Sequence, residues 1–83
     1  MNAYYTHAAA EIFPIYGATS LEEAQSFVDP AQHRYIVETA DSVYMNAATG
    51  SVDFSSSWEA EGASLDDLVL VNYSAESESW VEA

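Results

Sequence analysis

Leu21, Ala24, Phe27 and Val28 recur at spacings of three and four behind Ser20, the clearest helical signal in the chain. Ser20 can accept a hydrogen bond from the backbone of Glu23, whose side chain reaches back as in a capping box, and both acids of that first turn favour the positive helix end. Asp29-Pro30 ends the pattern, because the residue before a proline is driven away from helical angles. A short amphipathic helix is predicted over residues 20–28.

The period then changes to alternation. His33 to Thr39 is rich in β-branched and aromatic residues, and Ala40-Asp41 makes a turn into a second strand, 42–45. Residues 46–50 read as a hairpin loop in which Gly50 supplies positive φ, and 51–55 returns antiparallel with Val52 and Phe54 on one face and Asp53 on the other. From Ser55 to Ser64 the chain is serine, glycine and acid around Trp58, read as a loop or frayed edge strand. Residues 68–73 are the most apolar stretch and predict a central strand, with Trp80-Val81 as a last edge strand. At the front, 11–16 suggests a strand that Pro14 confines to an edge, while 3–10 is ambiguous between alanines that favour helix and Tyr4-Tyr5-Thr6 that favour strand.

Together these elements predict an α+β fold, a small mainly antiparallel β-sheet with one or two short helices packed on one face. The expected core is Phe13, Ile15, Leu21, Ala24, Phe27, Val28, Ile36, Val43, Val52, Phe54, Leu68, Leu70 and Val71. At 83 residues the chain reads as one acidic globular domain, 1–83. A chain this small buries only about 60% of the surface its unfolded form exposes, so its core is modest.

Charge changes the picture more than any motif. Fourteen carboxylates share the chain with one cationic side chain, Arg34, and the net charge is -13. Soluble surfaces ordinarily interleave both signs, so the outward field here is uncompensated and self-repulsion works against the compact state. The aromatic share of 13% sets the chain apart from disordered acidic tails, so it is expected to fold. The acids do not form a block but lie beside elements and turns throughout. Glu59/Glu61 and Glu76/Glu78 have i, i+2 spacing, which in extended chain puts both carboxylates of a pair on one face about 6.6 Å apart, on the scale of neighbouring phosphates. A merely solvated face accounts for any one pair, but a fully solvated surface would also carry lysines, and this chain has none.

Chemistry offers little. There is no cysteine, hence no disulfide and no thiolate metal site. His7 and His33 lack a recognisable partner spacing, and carboxylate pairs in so acidic a chain arise by chance. There is no calcium-loop motif and no glycine-rich phosphate loop, with glycine only at 17, 50 and 62; Asp66-Asp67 reads as a turn or helix start. The Asn72-Tyr73-Ser74 sequon has no secretory signal before it, and no run has the length of a membrane span, so a cytoplasmic location is expected. A single arginine cannot neutralise a phosphate backbone, so charge opposes a nucleic-acid-binding role and no direct nucleic-acid binding is expected. No enzyme, cofactor or metal is expected. What the charge fits is a strongly basic protein surface, and the commonest of these is one built to hold nucleic acid.

In composition across its whole length, with acids such as Glu59, Glu61, Asp66, Asp67, Glu76 and Glu78 scattered through an aromatic-containing, lysine-free and cysteine-free chain, the protein resembles the DNA-mimic proteins of phages and mobile elements. These include many anti-CRISPR proteins, anti-restriction proteins and uracil-glycosylase inhibitors. The resemblance implies steric and electrostatic occupation of a DNA-binding channel, commonly in a CRISPR surveillance complex, and carries over no residue roles. The acids from Glu59 to Glu78 are the expected contact set, with Trp58, Tyr73 and Trp80 as aromatic anchors. Two other readings stay open. One is an acidic adaptor or antitoxin-like subunit covering a basic protein. The other is a halophile domain whose acidity serves solubility, although glutamates outnumber aspartates nine to five and aromatics are plentiful.

Overall fold

The computed structural model describes residues 2–8 and 11–83, which group into two compact units, Met1–Ala40 and Asp41–Ala83. The fold is α+β and mainly antiparallel sheet, but the strands form two sheets rather than one, of three and four strands.

In the first unit β1 (Ala3–Ala8) is central, paired antiparallel with β2 (Glu11–Pro14) on one side and β3 (Ile36–Thr39) on the other. Tyr4-Tyr5-Thr6 therefore outweighs the alanines in the ambiguous stretch 3–10, of which residues 9 and 10 lie outside the described residues. β2 is an edge strand, as its proline requires. Helix α1 (Leu21–Ser26) begins as its sequence predicts: the Ser20 side chain accepts from the Glu23 amide at 3.2 Å. The Glu23 carboxylate reaches one residue further back than the standard box, accepting from the Thr19 amide at 2.7 Å and its hydroxyl at 3.1 Å.

Three expected core residues of this unit lie on its surface. Leu21 is 50% exposed, Phe27 53% and Phe13 46%. The helix has only six residues, and Ala24 alone is buried at its centre, where a methyl side chain lets the backbone come close to Tyr4 and Ile15. Leu21 opens the helix and Phe27 is its C-cap, so both splay from that contact. Ala18, Val28 and Ile36 complete the cluster. Along β2, Phe13 and the 1% exposed Ile12 point to opposite faces, and it is Ile12, absent from the expected core, that is buried.

The strand expected from His33 starts three residues later, because Pro30–Tyr35 form a 3-10 helix with proline at its first turn. Asp29 carries the extended backbone demanded before proline, and its carbonyl accepts from the Gln32 amide at 2.8 Å. A 2.8 Å hydrogen bond joins His33 Nε2 to the Gln25 carbonyl, tying this turn to α1.

The second unit repeats the same path. β4 (Val43–Met45) is flanked by β5 (Val52–Phe54) and β6 (Val69–Ser74), all antiparallel, and β7 (Ser79–Glu82) extends the sheet beyond β6. In both units the chain runs strand, strand, α-helix, 3-10 helix, strand, with the first strand central. The β4–β5 loop is the predicted one. Asn46 accepts from the Gly50 amide at 2.7 Å through its carbonyl and from the Ala48 amide at 2.9 Å through its side chain, and Gly50 has φ 77°. β6 is internal, as its apolar run suggests, yet Leu70 is 42% exposed. Its register partner is Tyr44, on the sheet face opposite Val43, Phe54 and Val71, so only alternate residues of the run are core.

The largest departure is at 55–60. Instead of a loop or edge strand, Ser55–Ala60 form helix α2, entered directly from β5 without a side-chain cap. Gly62, at φ 85°, closes it in a Schellman motif, with Ala63 N–H donating to the Trp58 carbonyl and Gly62 N–H to the Glu59 carbonyl, both at 3.0 Å.

Candidate partner-binding surface

All nine expected contact residues belong to the second unit, where the fold sorts them into two groups. The first is a helical corner. Glu59 lies in the last turn of α2, Glu61 caps it, and Asp66 and Asp67 sit in the 3-10 helix Leu65–Asp67, where the Ser64 hydroxyl accepts from the Asp66 amide at 3.4 Å. All four carboxylates are exposed. Asp66-Asp67 thus begins a helical turn, as its sequence suggested. The Glu59/Glu61 pair does not have the expected extended spacing, because residues two apart on a helix point away from each other.

The second group is the β6–β7 hairpin. Tyr73 and Trp80 are directly opposite in register, their rings meeting edge to face at 5.3 Å and 77°. Between them the turn 75–78 projects Glu76 and Glu78, both exposed. Glu78 adopts φ 53°, a left-handed conformation that a non-glycine residue enters at some expense. This pair too is on a turn rather than an extended strand. The Ser74 hydroxyl accepting from the Ser77 amide at 3.3 Å, and the Ser77 and Ser79 hydroxyls 2.9 Å apart, hold its shape.

The two acidic groups stand at opposite ends of β6. Six residues of strand at about 3.3 Å each separate them by about 20 Å. The surface is therefore a pair of patches, not a ladder of neighbouring charges.

The three aromatic candidates are half-buried. Trp58 donates its indole N–H to the Tyr44 carbonyl at 3.0 Å, so its polar edge is already satisfied within the unit. The helix beneath it is held by Asp41, whose carboxylate accepts from the Ser56 hydroxyl.

Across the chain, eleven of the fourteen carboxylates are exposed; Glu23, Asp41 and Asp53 are half-buried and none is buried. Arg34 stands over the ring of its neighbour Tyr35, 4.8 Å from the centroid. Among the described residues no group of three or more His, Cys, Asp or Glu is placed to hold a metal ion, and no helix is long and apolar enough to cross a membrane.

Besides Glu23, a second carboxylate of the first unit is engaged. Glu38 accepts from the Tyr4 hydroxyl at 2.9 Å and from the Asn2 side chain at 3.2 Å. The hydrogen bond to Glu38, then burial, then the repulsion of a second negative charge raise the Tyr4 pKa above its ordinary 10.0. A folded-state pKa above the unfolded value means that this contribution is complete below about pH 10 and is lost as pH rises through the folded pKa. The Tyr4→Phe variant is accordingly expected to melt below the wild type at neutral pH, with the gap narrowing above about pH 10. A gap that stays constant in thermal melts up to pH 11 would contradict the pairing.

What sequence reasoning missed is an exposed aromatic group in the first unit. Phe13 and Phe27, assigned to the core, instead border with Tyr16, 60% exposed, an open trough of 440 Å³. The signal available was the pair of chain breakers around them, Pro14 and Gly17, which leave little regular structure to cover large side chains.

No protein-family model, curated protein or solved structure matches this chain.

Proposed function

We propose that this protein is a non-enzymatic inhibitor that occupies a basic DNA-binding surface of a bacterial defence complex, a CRISPR effector in particular, and blocks target DNA there. The observation that supports the reading most is the exposure of eleven of fourteen carboxylates on a chain whose only guanidinium lies over Tyr35. A channel lined by Lys and Arg for a phosphate backbone is a preformed counter-surface for such a field. Two acidic patches about 20 Å apart can engage two separate stretches of such a channel. The approach would be steered electrostatically, fast at low salt and slower as the Debye length shrinks from about 30 Å at 0.01 M to about 8 Å at 0.15 M.

Titrating this protein into a purified CRISPR effector complex before labelled target DNA is added tests the reading. The expected result is loss of the DNA-bound band in proportion to the inhibitor added, relieved by raised salt. DNA binding that persists at saturating inhibitor would remove the proposal.

A further inference from the structure

The trough in the first unit has a shape and setting that the two acidic patches do not supply. Phe13, Pro14, Ile15, Tyr16, Phe27 and Val28 line it, with three aromatic rings that are each about half exposed or more. Acids flank this apolar floor. Glu11 precedes Phe13 by two residues on β2 and so shares its sheet face, and Asp29 directly follows Val28; both are exposed. At a net charge of -13 the chain repels a second copy of itself, nucleic acid and anionic lipid alike. An occupant complementary to an aromatic floor with an acidic border is a cation with an apolar stem. Arginine fits best, because its planar, weakly hydrated guanidinium stacks on rings while its methylenes cover aliphatic surface. The chain already contains this contact in Arg34 and Tyr35, at 4.8 Å.

We propose that this trough is a docking site for an arginine-bearing basic segment of the protein partner, so that the aromatic anchor of the interface lies in the first unit rather than at Trp58, Tyr73 or Trp80. The inference rests on the proposed function only in requiring a basic protein partner.

The test uses the full chain, isotope-labelled, titrated with an Arg-Gly hexapeptide repeat, its Lys-Gly counterpart of equal charge and a neutral citrulline-Gly control. Binding of the arginine peptide should shift the ring resonances of Phe13, Tyr16 and Phe27. Tyr16→Ala and Phe27→Ala should each raise its Kd about two- to fivefold, as expected for an exposed cation–π contact. The lysine peptide should bind more weakly, and the control should leave the rings unmoved. Because both side chains are more than half exposed, the variants should retain the far-UV circular dichroism of the wild type. Peptide shifts confined to carboxylate-bearing residues, with the trough rings still, would overturn the inference while leaving the blocking of DNA to be judged by its own assay. So would equal affinity of wild type and variants. Ring shifts that appear on concentrating the protein alone, with a dimer in sedimentation, would assign the trough to self-association and overturn it as well.

Discussion

Ile12→Ala is expected to destabilise the protein by about 2–5 kcal/mol, the range for truncating a buried isoleucine and leaving a cavity. Among the described residues, Ile12 is the largest side chain that is fully buried, at 1% exposure. A chain of this length has a total stability of only about 4–12 kcal/mol at about 0.05–0.15 kcal/mol per residue, so the loss is a large share of the whole. At about 4–8 °C per kcal/mol for a domain of this size, the midpoint should fall by about 8 °C or more. Phe13→Ala is the internal control. It removes a larger side chain from the next position, but one that is 46% exposed on the other face of β2, and should shift the midpoint much less. Thermal melts of the two variants in which Phe13→Ala is the more damaging would reverse the assignment of the sheet faces.

Neutralising Glu59, Glu61, Asp66, Asp67, Glu76 and Glu78 by Gln or Asn should slow association with the effector complex about tenfold or more at low salt, because field-driven enhancement of the on-rate spans about 10- to 1000-fold. Removing six negative charges takes the net charge from -13 to -7. The fold should survive, since all six side chains are exposed and the backbone contacts that shape their turns come from Ser64, Ser74 and Gly62. Relief of repulsion should raise the thermal midpoint. The two patches are far enough apart to act independently, so the four-residue corner and the two-residue hairpin tip, changed separately, should have effects that add within about 0.5 kcal/mol. Stopped-flow association rates that are unchanged in the sixfold variant, and equally dependent on salt, would show that the partner is recognised elsewhere.

What was legible in the sequence was what local chemistry dictates. Ser20 with Glu23 marked the start of α1, Pro14 marked β2 as an edge, and Gly50 marked the β4–β5 loop. Helix α2 was not legible at its start, because its N-cap is Phe54, whose side chain cannot cap, while Ser55 to Ser57 fall inside its first turn and β5 runs straight into it. Its end was marked by Gly62, whose left-handed role becomes meaningful only once a helix is assumed before it. That one omission carried into the site, since the spacing assigned to Glu59 and Glu61 depended on extended chain. The exposure of the acids followed from residue type alone. Their division into two patches did not, because it depends on α2 and on the length of β6. The placement of Phe13 and Phe27 failed for a different reason: periodicity tells which residues share a face, not how much of that face a six-residue helix covers.

The proposed mode of action requires this protein and DNA to compete for one surface, and simultaneous occupancy decides whether they do. Native mass spectrometry of a purified effector complex, mixed with saturating target DNA and a saturating amount of this protein, distinguishes two binary complexes from one ternary complex. Mutual displacement predicts two species, effector with DNA and effector with this protein, whose ratio follows the two concentrations. A ternary species carrying both would contradict occupation of the DNA surface.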